Sequence, residues 1–147
     1  MAARQTLEPT LDPADYSFTH HLRTRFAETD AMGVVHHAAY LPYLEETRVA
    51  YLRSLGHPYT ALREEGLEFP VVQVAVSYRR PLRFDDLVEV HLLLAATSGA
   101  TFQIAYLLTR EEEEVAHAVS LHAALSTSGR VARVPPWLQD SAVKNRP

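Results

Sequence analysis

The chain has 147 residues, 47% hydrophobic and 22% charged, with a formal net charge of −4 and no cysteine. That is room for one globular domain with its own core. It excludes disulfides, thiolate metal sites, cysteine nucleophiles and the overall basic footprint of a nucleic-acid or anionic-membrane binder. No apolar run approaches the roughly 20 residues that a membrane span needs. The N-terminal stretch lacks the charged-then-apolar order of a secretory signal, so a cytoplasmic protein is expected.

Residues 1–16 and 134–147 read as tails, the second opening at Val134 with Pro135-Pro136, around a domain over 17–133. A strand is expected from Ser17 to Ala27, where Phe18, His20, Leu22, Thr24 and Phe26 share a face. Glu28 to Gly33 reads as a turn, with Gly33 supplying backbone freedom. Next, Tyr40, Leu44, Thr47, Tyr51 and Leu55 recur at steps of four and three, while Glu45, Glu46, Arg48 and Arg53 occupy other faces. This predicts an amphipathic helix of about five turns, closed by Gly56 and Pro58. Pro42 is harmless there only in the first turn.

A shorter helical turn is expected at Tyr59 to Glu65, and after it the period becomes two. Val72, Val74, Val76 and Tyr78 alternate with Gln73, Ala75, Ser77 and Arg79, and Leu87 to Ala95 is nearly all apolar. Ser98-Gly99 marks a hairpin before Phe102, Ile104, Tyr106 and Leu108. Glu111 to Glu114 is a solvated acidic turn, and Val115 to Ser126 the last strand. A strand, a long helix and then antiparallel strands give an α+β order, with one helix to cover one sheet face.

Polar groups beside structured apolar ones are densest between Arg25 and Arg48. Asp30 falls in a turn between strand and helix, and His36 and His37 stand where the helix opens and backbone N–H groups lack intrahelical partners. A carboxylate near such donors can act on a carbonyl that they polarise. From spacing alone, however, a turn or helix cap is the commoner job for an Asp at this place.

The run from Glu28-Thr29-Asp30-Ala31-Met32-Gly33 through Val34, Val35, His36, His37, Tyr40, Leu41, Tyr43, Leu44, Glu45, Glu46 and Arg48 resembles the signature of the 4-hydroxybenzoyl-CoA thioesterase family. It is most similar to the bacterial branch that includes the Tol–Pal-associated acyl-CoA thioesterases. Val76-Ser77-Tyr78-Arg79-Arg80-Pro81 and Asp85-Asp86-Leu87-Val88-Glu89-Val90 resemble that family's next block, and the likeness spans roughly Phe18 to Ser126.

The resemblance implies a hotdog fold, a curled antiparallel sheet wrapping one long helix. It implies dimers with active sites at the subunit interface, often paired again into tetramers. Asp30 is then the general base or nucleophile of an acyl-CoA thioesterase. The carbonyl oxygen is held by a backbone N–H that falls by register at His37, whose ring can also bond the carboxylate or the substrate. Gly33, Val34 and Val35 are expected to border the substrate. Tyr40 and Glu46 are candidates to line or order the site, with core packing or a solvated helix face as the alternative for each.

Arg79, Arg80 and Arg83 form a basic cluster at a strand end that suits the phosphates of coenzyme A, or else are ordinary solvated charges. The substrate is expected to be an acyl-CoA or acyl carrier protein thioester, with no cofactor beyond the coenzyme A that the substrate carries. No metal is expected, because His20-His21 and His36-His37 are adjacent pairs whose rings diverge, and His117 and His122 fall on opposite strand faces. A hotdog hydratase or dehydratase and a non-catalytic acyl-binding protein are the competing readings. A serine hydrolase is not, since no Gly-x-Ser-x-Gly is present.

Overall fold

The steps of three and four become helix α1, Tyr40–Ser54, in a computed structural model that describes residues 7–144. Its stripe of Tyr40, Tyr43, Leu44, Thr47, Tyr51 and Leu52 is buried. Pro42 lies in the first turn, where a missing N–H breaks no helical bond. The Thr47 hydroxyl, deep in the core, is satisfied by donating to the Tyr43 carbonyl at 2.8 Å. Gly56, at φ +85°, makes the left-handed exit that ends the helix.

The period-two segments become β1 (Phe18–Arg23), β3 (Val71–Tyr78), β4 (Leu87–Ser98), β5 (Thr101–Arg110) and β6 (Glu113–Ala123). They form one five-stranded antiparallel sheet in the order β1–β4–β5–β6–β3. Between α1 and β3 lies the short helix α2 (Tyr59–Leu62), and two short strands, β2 (Leu67–Glu68) and β7 (Leu125–Ser126), pair separately. Val88, Val90, Leu92 and Leu94 of β4 alternate onto the inner face, where they meet Ile104, Tyr106 and Leu108 of β5 and Leu44 and Tyr51 of α1 in one core. This is the hotdog arrangement, a sheet curled around one long helix. Among the described residues no helix is long and apolar enough to cross a membrane.

The outer face of the sheet is crossed by the chain before β1. Leu7 N–H donates to Gln103 Oε1 at 3.1 Å, and the Tyr16 ring lies 6.2 Å from that of His91. Burial there pushes the Tyr16 phenol up to about 12. Residues 1–6 and 145–147 of the expected tails lie outside the described residues.

Two expectations are corrected. The first strand stops at Arg23, and Phe26–Glu28 forms a single 3-10 turn that leaves Phe26 73% exposed rather than on the inner face. The segment read as a C-terminal tail holds helix α3, Pro136–Lys144, with Val134, Leu138 and Ala142 each 1% exposed within the main core. Its Trp137 stacks on His57 at a centroid separation of 3.7 Å. Pro136 does not block this helix because it stands at the first position. If α3 closes the core, Leu138→Ala leaves a cavity and lowers stability by about 2–5 kcal/mol. A denaturant midpoint equal to the wild type would show that α3 contributes nothing.

Candidate active site

The link from β1 to α1 reverses direction at Asp30-Ala31-Met32-Gly33. Gly33 N–H donates to the Asp30 carbonyl and Asp30 N–H to the Val34 carbonyl, both at 2.9 Å. Gly33 has φ +77°, a conformation that residues with side chains adopt at a cost. Within this reversal Asp30 Oδ1 accepts the N–H of Met32 at 2.9 Å and that of Val34 at 3.4 Å. Its Oδ2 has no protein partner among the described residues. One oxygen is anchored, and the other is available for chemistry.

Glu28 holds the reversal from behind. Its carboxylate accepts the Tyr43 hydroxyl at 2.7 Å and pairs with Arg25 at 3.0 Å, while its carbonyl accepts the His36 N–H at 2.7 Å. Burial raises the Glu28 pKa, but the bonds from Tyr43 and Arg25 outweigh it and hold the carboxyl below its ordinary value. Burial, and then the same carboxylate, pushes the Tyr43 phenol well above the usual tyrosine range. A charged Glu28 is therefore built into the support of the turn.

His36 caps the helix mouth. Its Nδ1 accepts the Ala38 N–H at 3.1 Å, and its carbonyl takes the Ala39 N–H at 2.9 Å. The His37 N–H between them has no acceptor among the described residues. Its carbonyl receives the Tyr78 hydroxyl at 2.9 Å, and its ring, expected to diverge from that of His36, instead stacks on it at 4.4 Å because the 3-10 turn brings the two side chains together. Tyr78 also meets Tyr40 edge to face at 4.9 Å, which ties the start of α1 to the end of β3. Burial raises both of these phenols.

An open cleft lies between these elements, with Asp30, Val34, Val35, His37 and Tyr40 on one wall and Tyr78, Arg79, Arg80 and Pro81 on the other. Most residues singled out in the sequence therefore meet in one place. Arg83 adjoins it: its backbone bridges Val34, and one guanidinium nitrogen lies 4.0 Å from where a Cβ on Gly33 would stand. Arg79 is 3.8 Å from Glu114 and Arg80 3.2 Å from Glu113, whereas Arg83 has no ion pair among the described residues.

Glu46 is not in the cleft. It projects toward β1 and bonds His20 Nε2 at 2.5 Å, with 58% of its side chain exposed. Arg48, expected on a face other than the apolar stripe, is half-buried and donates to the Tyr106 hydroxyl at 3.2 Å. The signal was present, since Arg48 stands four residues after Leu44 and eight after Tyr40, on the buried stripe. Tyr78 stands in the strand pattern and in the Val76–Pro81 block of the resemblance without a site role, and its bond to the helix mouth depends on a sheet edge that no local pattern specifies.

Residues 24–141 match the model of the thioesterase-like superfamily. A 1,4-dihydroxy-2-naphthoyl-CoA hydrolase of Synechococcus elongatus is 30% identical over 136 residues, covering 88% of this chain and 98% of that protein. The acyl-CoA thioesterase YbgC of Haemophilus influenzae is 39% identical over 88 residues, 59% of this chain and 65% of its own. The crystal structure of a hypothetical protein from Aquifex aeolicus superposes with a TM-score of 0.81 at 37% identity, over 86% of this chain and 99% of that one. Fold, turn and sequence agree: the chain belongs to the thioesterase-like superfamily.

Proposed function

We propose that this protein hydrolyses acyl-CoA thioesters to the free acid and coenzyme A, with Asp30 as the catalytic carboxylate. The observation that carries the reading is the presence, on one cleft, of Asp30 and His37, whose Oδ2 and backbone N–H have no partner among the described residues. The thioester carbonyl oxygen docks on that N–H, which stabilises the oxyanion as it forms. Asp30 Oδ2 takes a proton from water as the hydroxide attacks, or attacks the carbonyl itself to give an anhydride that water then opens. In either case the carbon–sulfur bond breaks and the thiolate leaves without needing a strong acid at sulfur. The Synechococcus relative is named for cleaving this bond in a CoA thioester. A thioester on the arm of acyl carrier protein presents the same reacting group.

The arginines of the cleft rim suit the phosphates of coenzyme A. The free edge of β3 suits a second copy of the chain: β3 is last in the sheet, and Val71, Val72 and Val74 are 46%, 50% and 38% exposed along it. An apolar sheet edge open to water is a template for pairing. A homodimer through β3, with dimers pairing again into tetramers, would put each cleft beside the seam, because Tyr78 ends that strand.

Three outcomes test this reading. Asp30→Asn lowers kcat for acyl-CoA about a thousandfold or more while the circular dichroism spectrum and melting curve stay native. Wild-type release of thiol by the variant, followed with a thiol reagent, would refute the mechanism. The double change Arg79→Ala, Arg80→Ala raises KM for acyl-CoA by about three- to tenfold, more than it lowers kcat, and the effect shrinks in high salt. An unchanged KM removes these residues from binding. Val74→Lys, which places charge in the edge, shifts the protein to a monomer in light scattering. A variant with wild-type mass would show that β3 is not the contact.

A further inference from the structure

We propose that Tyr78 is the positioning residue of the oxyanion donor, its hydroxyl fixing the direction in which the His37 N–H points; this rests on the acyl-CoA hydrolase reading above. A backbone N–H stabilises a forming oxyanion best when its peptide is already aimed at the place the oxygen will occupy, so that nothing has to turn during the reaction. The His37 N–H is poorly placed to hold its own direction. It opens the single 3-10 turn His37–Ala39 ahead of α1, and none of the three residues is buried. Such a turn has poorer hydrogen-bond geometry than an α-helix, and helix ends are where fraying begins.

The bonds within the turn are local. The His36 carbonyl receives the Ala39 N–H at 2.9 Å, His36 Nδ1 receives the Ala38 N–H at 3.1 Å, and the His37 carbonyl receives the Tyr40 N–H. Each joins residues at most three apart, so the whole turn can shift without breaking them. The Tyr78 hydroxyl is different, reaching the His37 carbonyl at 2.9 Å from 41 residues away. Among the described residues it is the one hydrogen bond that His37–Ala39 receives from beyond α1 and the turn itself.

The anchor is a rigid one. Tyr78 ends β3, where it pairs with Ala116 of β6, and the N–H groups of Arg79 and Arg80 both go to the Val115 carbonyl, at 2.8 and 3.1 Å. Its ring meets that of Tyr40 edge to face at 4.9 Å and that of His37 at 6.5 Å. Past Leu41, Leu44 and Val74 the two elements are separated by a groove, so the tie between them at the helix mouth is this one residue's contacts. The torsions of His37 are then fixed from both sides, through the His36 carbonyl bonded to Ala39 and through its own carbonyl bonded to the sheet. Its N–H, without an acceptor among the described residues, keeps one direction at the cleft that His37 and Tyr78 both line.

The test compares the full-length wild type with Tyr78→Phe, which keeps both ring contacts and loses only the hydroxyl at a position 46% exposed, so the melting curve stays native. On CoA thioesters of a short-chain, a long-chain and an aromatic acid, kcat falls about tenfold while KM stays within about twofold. That fall is smaller than the roughly 10²–10³-fold that outright loss of an oxyanion donor brings. The donor's aim is read separately with a CoA ketone, in which a methylene replaces the thioester sulfur and the carbonyl carries an isotope label. Bound to the wild type, its infrared carbonyl stretch lies below the value in water, and in the variant it moves back toward that value. An unchanged kcat, an unchanged carbonyl stretch, or a raised KM at constant kcat, the mark of a substrate contact, each overturns the proposal. A wild type that releases no coenzyme A from any of the thioesters sinks the hydrolase reading and this inference with it; an active wild type matched by Tyr78→Phe sinks this inference alone.

Discussion

The hydrogen bonds that the backbone N–H groups of Met32 and Val34 donate to Asp30 Oδ1 hold the site together. A carboxylate bonded to its own turn is both ligand and product of that turn, because the reversal exists only while the oxygen satisfies those donors. Each charge-assisted bond of this kind contributes about 1.5–3 kcal/mol. That is comparable with the backbone entropy of fixing one or two residues, about 1–2 kcal/mol each. The turn would not close on these bonds alone. It needs the left-handed backbone at Gly33 and the Glu28 clamp, where Tyr43, Arg25 and the His36 N–H converge from the helix, the 3-10 turn and the helix mouth. The first carboxylate oxygen is engaged in structure, and the second has no protein partner among the described residues.

The seam between α1 and β3 follows from the same economy of contacts. α1 buries Tyr40, Leu44 and Tyr51 against the inner sheet, and β3 is the last strand, so beyond it no strand among the described residues covers the helix flank. The Tyr78 hydroxyl crosses from β3 to the His37 carbonyl and pins one end of the seam. The rest stays open as cleft and groove. A fold that wraps a helix with too few strands to enclose it leaves a slot along one side, and here one end of it holds Asp30 and His37.

Much of this was legible in the residues. Period four-three and period two located α1 and the long strands, since burial on one face imposes those spacings. The Asp-to-Gly turn could be located but not assigned, because an Asp that caps and an Asp that reacts look alike locally; the resemblance across Glu28 to Arg48 separated them. The errors share a cause. Pro135-Pro136 reads as a stop, yet a proline at the first helical position is as acceptable as one beyond the last, and only the docking of Leu138 and Ala142 decides. For Glu46 the alternatives were the site or a solvated helix face, and its direction depends on where β1 places His20. Arg48 was assigned to another face of the helix, although its spacing from Tyr40 and Leu44 puts it on the stripe.

The left-handed backbone at Glu111 and Glu112 occurs in the β5–β6 hairpin, where a tight turn with the strand's own twist calls for it, so strain there is explained by geometry. Arg48 has no such explanation. A Leu or Met at that position would fill the stripe, and Tyr106, Ser120 and His122 could satisfy one another without it. Burying part of a guanidinium without a counter-charge costs stability that the Tyr106 bond only partly returns. Natural sequences break the local rule for a buried helix face mainly where something outside the fold repays it.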